Sequence, residues 1–308
     1  MVRSLDDALA AGPLFFEPVP PSARTPAARL EERLRAVAEL VRGVPRVDAV
    51  DVPELVDENH EGKPRYRSGD IRAYALALQE RTDRPALVNK VVAHVADPGA
   101  LEGWARETVA RGVRYAVLVG GASRYIPYPG PGVIEANRLC RPVFRAAGGG
   151  VGNIAIPQRT GEAHRMLSKT RAGAAFFTTQ ILFDSDQIVQ LLHEYDLLCR
   201  QAAIPPVAVV ISFAPIADDL DVEFVRWLGA DISEAAEAAI LGDDDVSIAS
   251  RSEQRALRVW EDVTRAARVD ELAVPLGVNV EQISPRHLEP AGHLLREFAD
   301  RIPARKIP

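Results

Sequence analysis

A chain of 308 residues, 47% of them hydrophobic, has the material for a large core. Its net charge of −6, with basic residues spread along the chain and in no long block, argues against a nucleic-acid-binding surface. Cys140 and Cys199 lack ligand-type spacing, no HxxxH pair occurs, and the longest apolar run, residues 204–217, is too short for a bilayer, so no disulfide framework, metal site or membrane span is expected.

Residues 1–12 read as a lead-in helix whose Asp6 and Asp7 break any apolar signal core, which suits a cytoplasmic protein. Leu14–Phe16 is a short apolar strand ending in Glu17, and Pro18, Pro20 and Pro21 force an extended turn. Thr25 is placed to cap a helix with Pro26 at its first position, running to Val41. Val47–Val52 is the second strand, and Asp51, Glu54, Asp57 and Glu58 crowd its exit. A helix over 68–81 leads to a third strand, Ala86–Val92. Asp97 and Pro98 open a helix to Ala110, and Tyr115–Val119 is the fourth strand, ended by Gly120 and Gly121. A helix to Ala147 follows, stopped by Gly148–Gly150, then a fifth strand, Val151–Ile156, and a short helix over 161–172.

The sixth strand is the most informative. Residues 172–184, AGAAFFTTQILFD, run through six apolar or β-branched residues to the single amide of Gln180, and Asp184 and Ser185 then offer caps for a helix. Val207–Ser212 is strand seven, helices follow over 219–228, 233–241 and 244–268, Ala273–Asn279 is strand eight, and 285–301 is the last helix. Eight continuous apolar strands alternating with helices predict a single (β/α)8 barrel domain over residues 1–308, with extra helices after strand seven. An open doubly wound sheet would give the same alternation.

In a barrel the carboxyl ends of the strands hold the site. Those ends carry Glu17, Asp51 and Glu54, Asn89 and Lys90, Ser123 to Tyr125, Asn153, Gln180, Ser212 and Phe213, and Asn279 and Glu281. Amides there also serve to satisfy buried backbone groups. Glu17, between Phe16 and a proline-rich turn, is placed for partial burial, which raises a carboxyl pKa and makes a general acid. The glycines 148–150 precede a strand instead of following one, so they are no dinucleotide fingerprint. Gly120-Gly121 and Pro129–Gly132 do lie between a strand and a helix, where backbone amides can approach a ligand. His164 and Lys169, on the short sixth helix, read as surface residues.

Two segments go beyond pattern. Phe16-Glu17-Pro18-Val19-Pro20-Pro21 resembles the first-strand Phe-Glu-Phe-Phe-Pro-Pro motif of the methylenetetrahydrofolate reductases, and AGAAFFTTQILFD resembles their sixth-strand Ala-Gly-Ala to Thr-Gln-x-x-Phe-Asp motif. Val210–Ile216 is similar to the seventh-strand Pro-Gly-Ile-x-Pro-Ile pattern at Pro215 and Ile216. The resemblance implies a (β/α)8 barrel that reduces a methylene group on tetrahydrofolate to methyl. Glu17 would be the acid that helps open the five-membered ring, and Gln180 would contact the folate. The flavin motifs depart: Leu118-Val119-Gly120-Gly121 stands for Leu-Arg-Gly-Asp, Val88-Asn89-Lys90 for the third-strand His-Leu-Thr, and Ile156-Pro157-Gln158 for Tyr-Pro-Glu. Losing several charge-assisted contacts speaks against FAD, and the chain resembles a divergent, flavin-independent branch of the actinobacterial type.

The expected function is direct hydride transfer from NAD(P)H, NADH before NADPH because no arginine cluster awaits a 2′-phosphate. Glu17 would be the acid, with Gln180, Asn279, Glu281 and Phe213 on the folate. The nicotinamide nucleotide would lie by Asn89, Lys90, Gly120, Gly121, Ser123 and Asn153, in the space a flavin would take. The alternatives are an FAD-dependent reductase with a remodelled site and a folate-binding barrel without catalysis. Oligomeric state is not legible.

Overall fold

A computed structural model describes residues 4–59, 61–123, 125–242 and 245–302. His60, Arg124, Asp243, Asp244 and the start of the predicted first helix lie outside the described residues.

Eight parallel strands close into a barrel: β1 (Leu14–Glu17), β2 (Ala49–Val52), β5 (Ala86–Val91), β6 (Tyr115–Val119), β7 (Gly150–Ala155), β8 (Ala174–Ile181), β9 (Ala208–Phe213) and β10 (Leu276–Glu281). β10 closes the ring against β1. Alternation along each strand sends side chains to two cores. Phe15, Ala49, Leu87, Val117, Phe176 and Val210 fill the barrel, while Leu14, Phe16, Val50, Phe177, Phe213 and Val280 face the helices. Inside, Phe15 and Phe176 meet edge to face at 6.1 Å. Gly152 makes room for that filling, since a Cβ there would sit 2.5 Å from the Phe176 ring. Helix α1 (Leu5–Ala10) plugs the amino-terminal end with Leu5, Ala8 and Leu9, and Asp6 accepts a hydrogen bond from the buried Tyr115 hydroxyl.

The helical ring is α2 (Ala27–Arg42), α3 (Ile71–Thr82), α4 (Pro98–Ala110), α5 (Val133–Ala146), α6 (Glu162–Arg171), α7 (Asp186–Gln201), α10 (Ile248–Val269) and α11 (Leu288–Arg301). Between β9 and α10, α8 (Asp219–Trp227) and α9 (Glu234–Leu241) stand over the carboxyl rim on a small core of their own, with Ile181, Phe183, Ala214, Ile216, Val225 and Ile240.

Four details differ from the sequence reading. An antiparallel hairpin, β3 (Val56–Glu58) and β4 (Pro64–Tyr66), rises from the β2 exit, its turn held by Asn59, whose side chain accepts from the Glu61 and Lys63 amides. Its segment is too polar to read as strand. Helix α2 begins at Ala27 without a side-chain cap, so Thr25 does not serve as one. Asp184 does not cap α7 either: it accepts from the amide and hydroxyl of Ser233 and pairs with Arg255, tying β8 to the extra helices. Lys169 is only 8% exposed, because its ammonium reaches inward to Glu162 at 2.9 Å and the Ile154 carbonyl at 2.8 Å, while His164 is exposed.

Lys169 is the nearest and most buried of three cations on Glu162, with Arg159 at 3.7 Å and Arg165 at 3.8 Å, and a buried carboxylate that loses its closest partner costs more than the pair contributes. Lys169→Ala is expected to destabilise the fold by about 3 kcal/mol. The Glu162→Gln/Lys169→Met double variant should recover most of that loss, both read by urea unfolding.

Candidate active site

The site begins with strand register. β1 and β10 run level, pairing Phe15 with Asn279 and Glu17 with Glu281. β1 and β2 pair Phe15 with Ala49 and Phe16 with Val50, and one residue further sets Glu17 level with Asp51. Phe15 and Ala49 point into the barrel, so the period of two sends Glu17, Asp51 and Glu281 inward as well. Three carboxyls therefore share one layer on three adjacent strands, about 4.8 Å apart from strand to strand.

Below them Asn279, fully buried, donates its amide to Glu17 Oε2 at 2.8 Å and to Ser212 Oγ at 3.2 Å. The described cations near the mouth are engaged elsewhere. Lys90 holds Glu54 at 2.7 Å, Arg67 holds Asp57 at 3.5 Å, and Arg286 holds Asp218 at 3.0 Å and also Asp221. The acids consequently lean toward their neutral forms. Burial pushes Glu17 up to about 7, against the Asn279 amide, which lowers it. Burial and then the Glu17 charge push both Asp51 and Glu281 well above the carboxylate range.

Glu17 and Glu281 line a cavity of about 740 Å³ at the carboxyl mouth of the barrel. Its walls are unlike. On the hairpin side stand Glu54, Asp57, Glu58 and Arg67; on the other, α8 presents Leu220, Phe224, Trp227 and Leu228. The Phe224 and Trp227 rings stack at 5.8 Å, and Trp227 is 62% exposed. Asp221 anchors α8, accepting from the Ala217 amide and meeting the buried His287 at 2.7 Å. Gln180 enters the cavity through a register shift in β8 after Thr178. Its amide donates to the Leu228 carbonyl at 2.8 Å, and Gln158 donates to the Gly229 carbonyl at 3.2 Å. Two glutamines thus clasp the end of α8 over the mouth.

Neither a protein-family model nor a curated protein sequence matches the chain. Among solved structures, an uncharacterised protein from Clostridium thermocellum that binds two copies of 5-methyl-5,6,7,8-tetrahydrofolic acid aligns with a TM-score of 0.77. The alignment covers 98% of this chain and 100% of that one at 15% sequence identity, and the likeness is one of fold.

Of the residues singled out in the sequence, the structure brings Glu17, Gln180, Asn279 and Glu281 together. Phe213 is not among them: it faces outward and stacks on Phe298 of α11 at 5.0 Å. The residues expected around a nucleotide do not line the cavity. Asn153 also faces outward, exchanging amide hydrogen bonds with Asn137 of α5 at 2.8 and 3.0 Å. Lys90 is committed to Glu54. Gly120 lies against Val133, and Gly121 lies under the Tyr128 ring, where a Cβ would be 2.2 Å away. The Ser123 amide donates to the Tyr128 hydroxyl. Tyr128 itself donates to Glu58 at 2.6 Å, which also meets His94 at 2.8 Å. Asn89 is buried inside the barrel with its amide toward Asp51. Phe224 and Trp227 are residues the sequence reading passed over. Asp51 stood among the strand-end acids, but nothing there distinguished it from its exposed neighbours.

The raised acids fix a sign for pH dependence. A carboxyl whose folded pKa lies above its unfolded value adds stability that is complete below about 4.5 and is lost as pH rises through about 7. Asp70 and Asp221 act oppositely: burial raises them, but hydrogen bonds and charges from Arg72, Arg111, Arg286 and His287 outweigh it, so their contribution is lost in acid. The melting temperature is expected to peak in mild acid and to fall as pH rises from about 4.5 through about 7. Asp51→Asn with Glu281→Gln should flatten that fall, as followed by calorimetry across the range.

Proposed function

We propose that this chain reduces 5,10-methylenetetrahydrofolate to 5-methyltetrahydrofolate with a reduced nicotinamide nucleotide as direct hydride donor. The single observation that carries the reading is Glu17, an acid poised near 7 on the floor of the cavity, with its Oε2 fixed by Asn279. Ring opening needs a proton at N10 at neutral pH, and a carboxyl tuned to that range can be protonated and still give its proton away. The Clostridium thermocellum barrel of the same fold binds a reduced folate, which supports the substrate class.

In this reading Glu17 delivers its proton from Oε1 to N10. The bond from the methylene carbon to N10 breaks, and an iminium forms at N5. The hydride that completes the methyl group comes from C4 of the nicotinamide. Gln180 lines the cavity, and the N–H of its amide that is not on the Leu228 carbonyl would reach the pterin. Phe224 and Trp227 offer a flat apolar wall for a ring and exclude water from one side of the reacting centre. Arg67 and Arg286 are already paired with aspartates, which favours NADH over a nucleotide with a 2′-phosphate.

The residues over β5 and β6 do not suit a flavin. Tyr128, His94 and Glu58 form a hydrogen-bonded and ring-packed group there, and Gly121 is filled by the Tyr128 ring. A folate carrier without turnover is the second reading, favoured by the binding recorded for the structural neighbour. A buried acid tuned to about 7 is unneeded for binding alone and weighs against it.

The test is NADH oxidation by the purified protein with and without methylenetetrahydrofolate, alongside its visible absorption spectrum. Folate-dependent oxidation without flavin bands is expected. Glu17→Gln should lower kcat by about 10²-fold or more, the usual worth of a positioned acid. Full activity in that variant, or stoichiometric FAD on the protein, contradicts the reading.

A further inference from the structure

The acids beside Glu17 have no role in the proton transfer just described, and their chemistry suggests one. Asp51 is 0% exposed and does not line the cavity, so it does not touch a substrate there. Neither of its oxygens has a hydrogen-bond partner of ordinary geometry, although the Asn89 side chain and the Val52 amide face it and draw its pKa down somewhat. An ionised carboxylate in that position would be a buried charge without a counterion, which a fold does not tolerate cheaply. A neutral carboxylic acid has one O–H to place. The neighbour level with Asp51 on β1 is Glu17, and Glu281 flanks Glu17 from β10 in the same register.

We propose that Asp51 and Glu281 are neutral hydrogen-bond donors to Glu17, and that they receive the carboxylate Glu17 becomes when it gives up its proton. The inference rests on the reduction proposed above. In the step itself the Glu17 O–H bond breaks, an N10–H bond forms, and the electron pair of the breaking carbon–nitrogen bond goes to N10. The negative charge left on Glu17 then meets three donors: the Asn279 amide on Oε2 and the hydroxyls of Asp51 and Glu281. Asp51 and Glu281 keep their protons throughout, and solvent reprotonates Glu17 once product has left. Hydrogen bonds that strengthen as charge develops favour the transition state over the ground state.

Among the described residues, the charged groups facing this row are Glu54, Asp57 and Glu58 beyond β2, Arg67 past β4, Asp221 on α8 and Arg286 before α11, each engaged in an ion pair or hydrogen bond already described. Asp51 is thus a positioning residue that acts on the substrate only through Glu17, whereas Glu281 supports Glu17 and also lines the cavity.

Kinetics of replacements that keep or remove a neutral donor test this. Asp51→Val and Glu281→Leu should each lower kcat about tenfold or more, the worth of one hydrogen bond to a charged group. The substrate KM should move little, and the pH–rate inflection of Glu17 should rise, because its carboxylate loses a donor. Asp51→Asn and Glu281→Gln, which retain an N–H, should recover most of that loss. The proposal is overturned if Asn at position 51 costs as much as Val, or if the inflection falls in both, since either result makes Asp51 an ionised, repelling neighbour. Infrared spectra at pH about 8 give a readout independent of turnover. Two protonated-carboxyl bands are expected, one lost in Asp51→Asn and the other in Glu281→Gln. Absence of both bands in the wild type overturns the donor assignment even if the enzyme is active. A wild type that shows the bands but no folate-dependent NADH oxidation overturns the reduction instead.

Discussion

Three carboxyl groups placed level on adjacent strands, with no cation among the described residues to neutralise them, are the constraint around which this barrel mouth is arranged. At about 4.8 Å between strands, like charges in a protein interior cannot all be ionised. The protein answers with protons. Burial and then the Glu17 charge raise Asp51 and Glu281 well out of the carboxylate range, despite lowering hydrogen bonds from Asn89 and Ser212, while Glu17, with the Asn279 amide on Oε2, stays near 7. Three residues of one chemical type are thereby separated in their proton affinity by their immediate partners, and the one placed nearest neutrality is a cavity-lining acid.

The rest of the fold serves that layer from two sides. From below, Phe15, Leu87, Val117 and Phe176 fill the barrel, and α1 closes its far end, so the barrel beneath the acids is densely packed. From above, the hairpin and α8 raise unlike walls, one acidic and one aromatic. Both walls are tied down by side-chain hydrogen bonds. Tyr128 and His94 hold Glu58 on the hairpin side, and Gln180, Gln158, Asp221 and His287 hold α8.

The alternation of elements and the position of Glu17 and Gln180 were legible in the sequence, because the apolar runs 14–16 and 174–179 each lead into a single conspicuous polar residue. What stayed hidden has a common physical origin. Strands of a parallel barrel are apolar on both faces, so their pattern does not reveal which residues point inward. Asn153 and Phe213 stood at strand ends like the cavity-lining Glu17, Gln180 and Glu281 and yet belong to the outer layer. Asp51 was one acid among several at the β2 exit, and only register with Glu17 distinguishes it. The hairpin escaped because its segment is polar and its two strands have three residues each. Lys169 follows Glu162 by seven residues on one helix, and this same-face spacing was a signal of a buried pair that the surface reading passed over.

The most direct measurement of the central claim is the fate of the transferred hydrogen. The protein is incubated with methylenetetrahydrofolate and NADH carrying deuterium at the transferred C4 position, and the methyl group of the product is weighed by mass spectrometry. Direct transfer predicts one deuterium in every methyl group formed. A product whose methyl has lost deuterium to water, as transfer through an exchangeable intermediate carrier would give, contradicts the account.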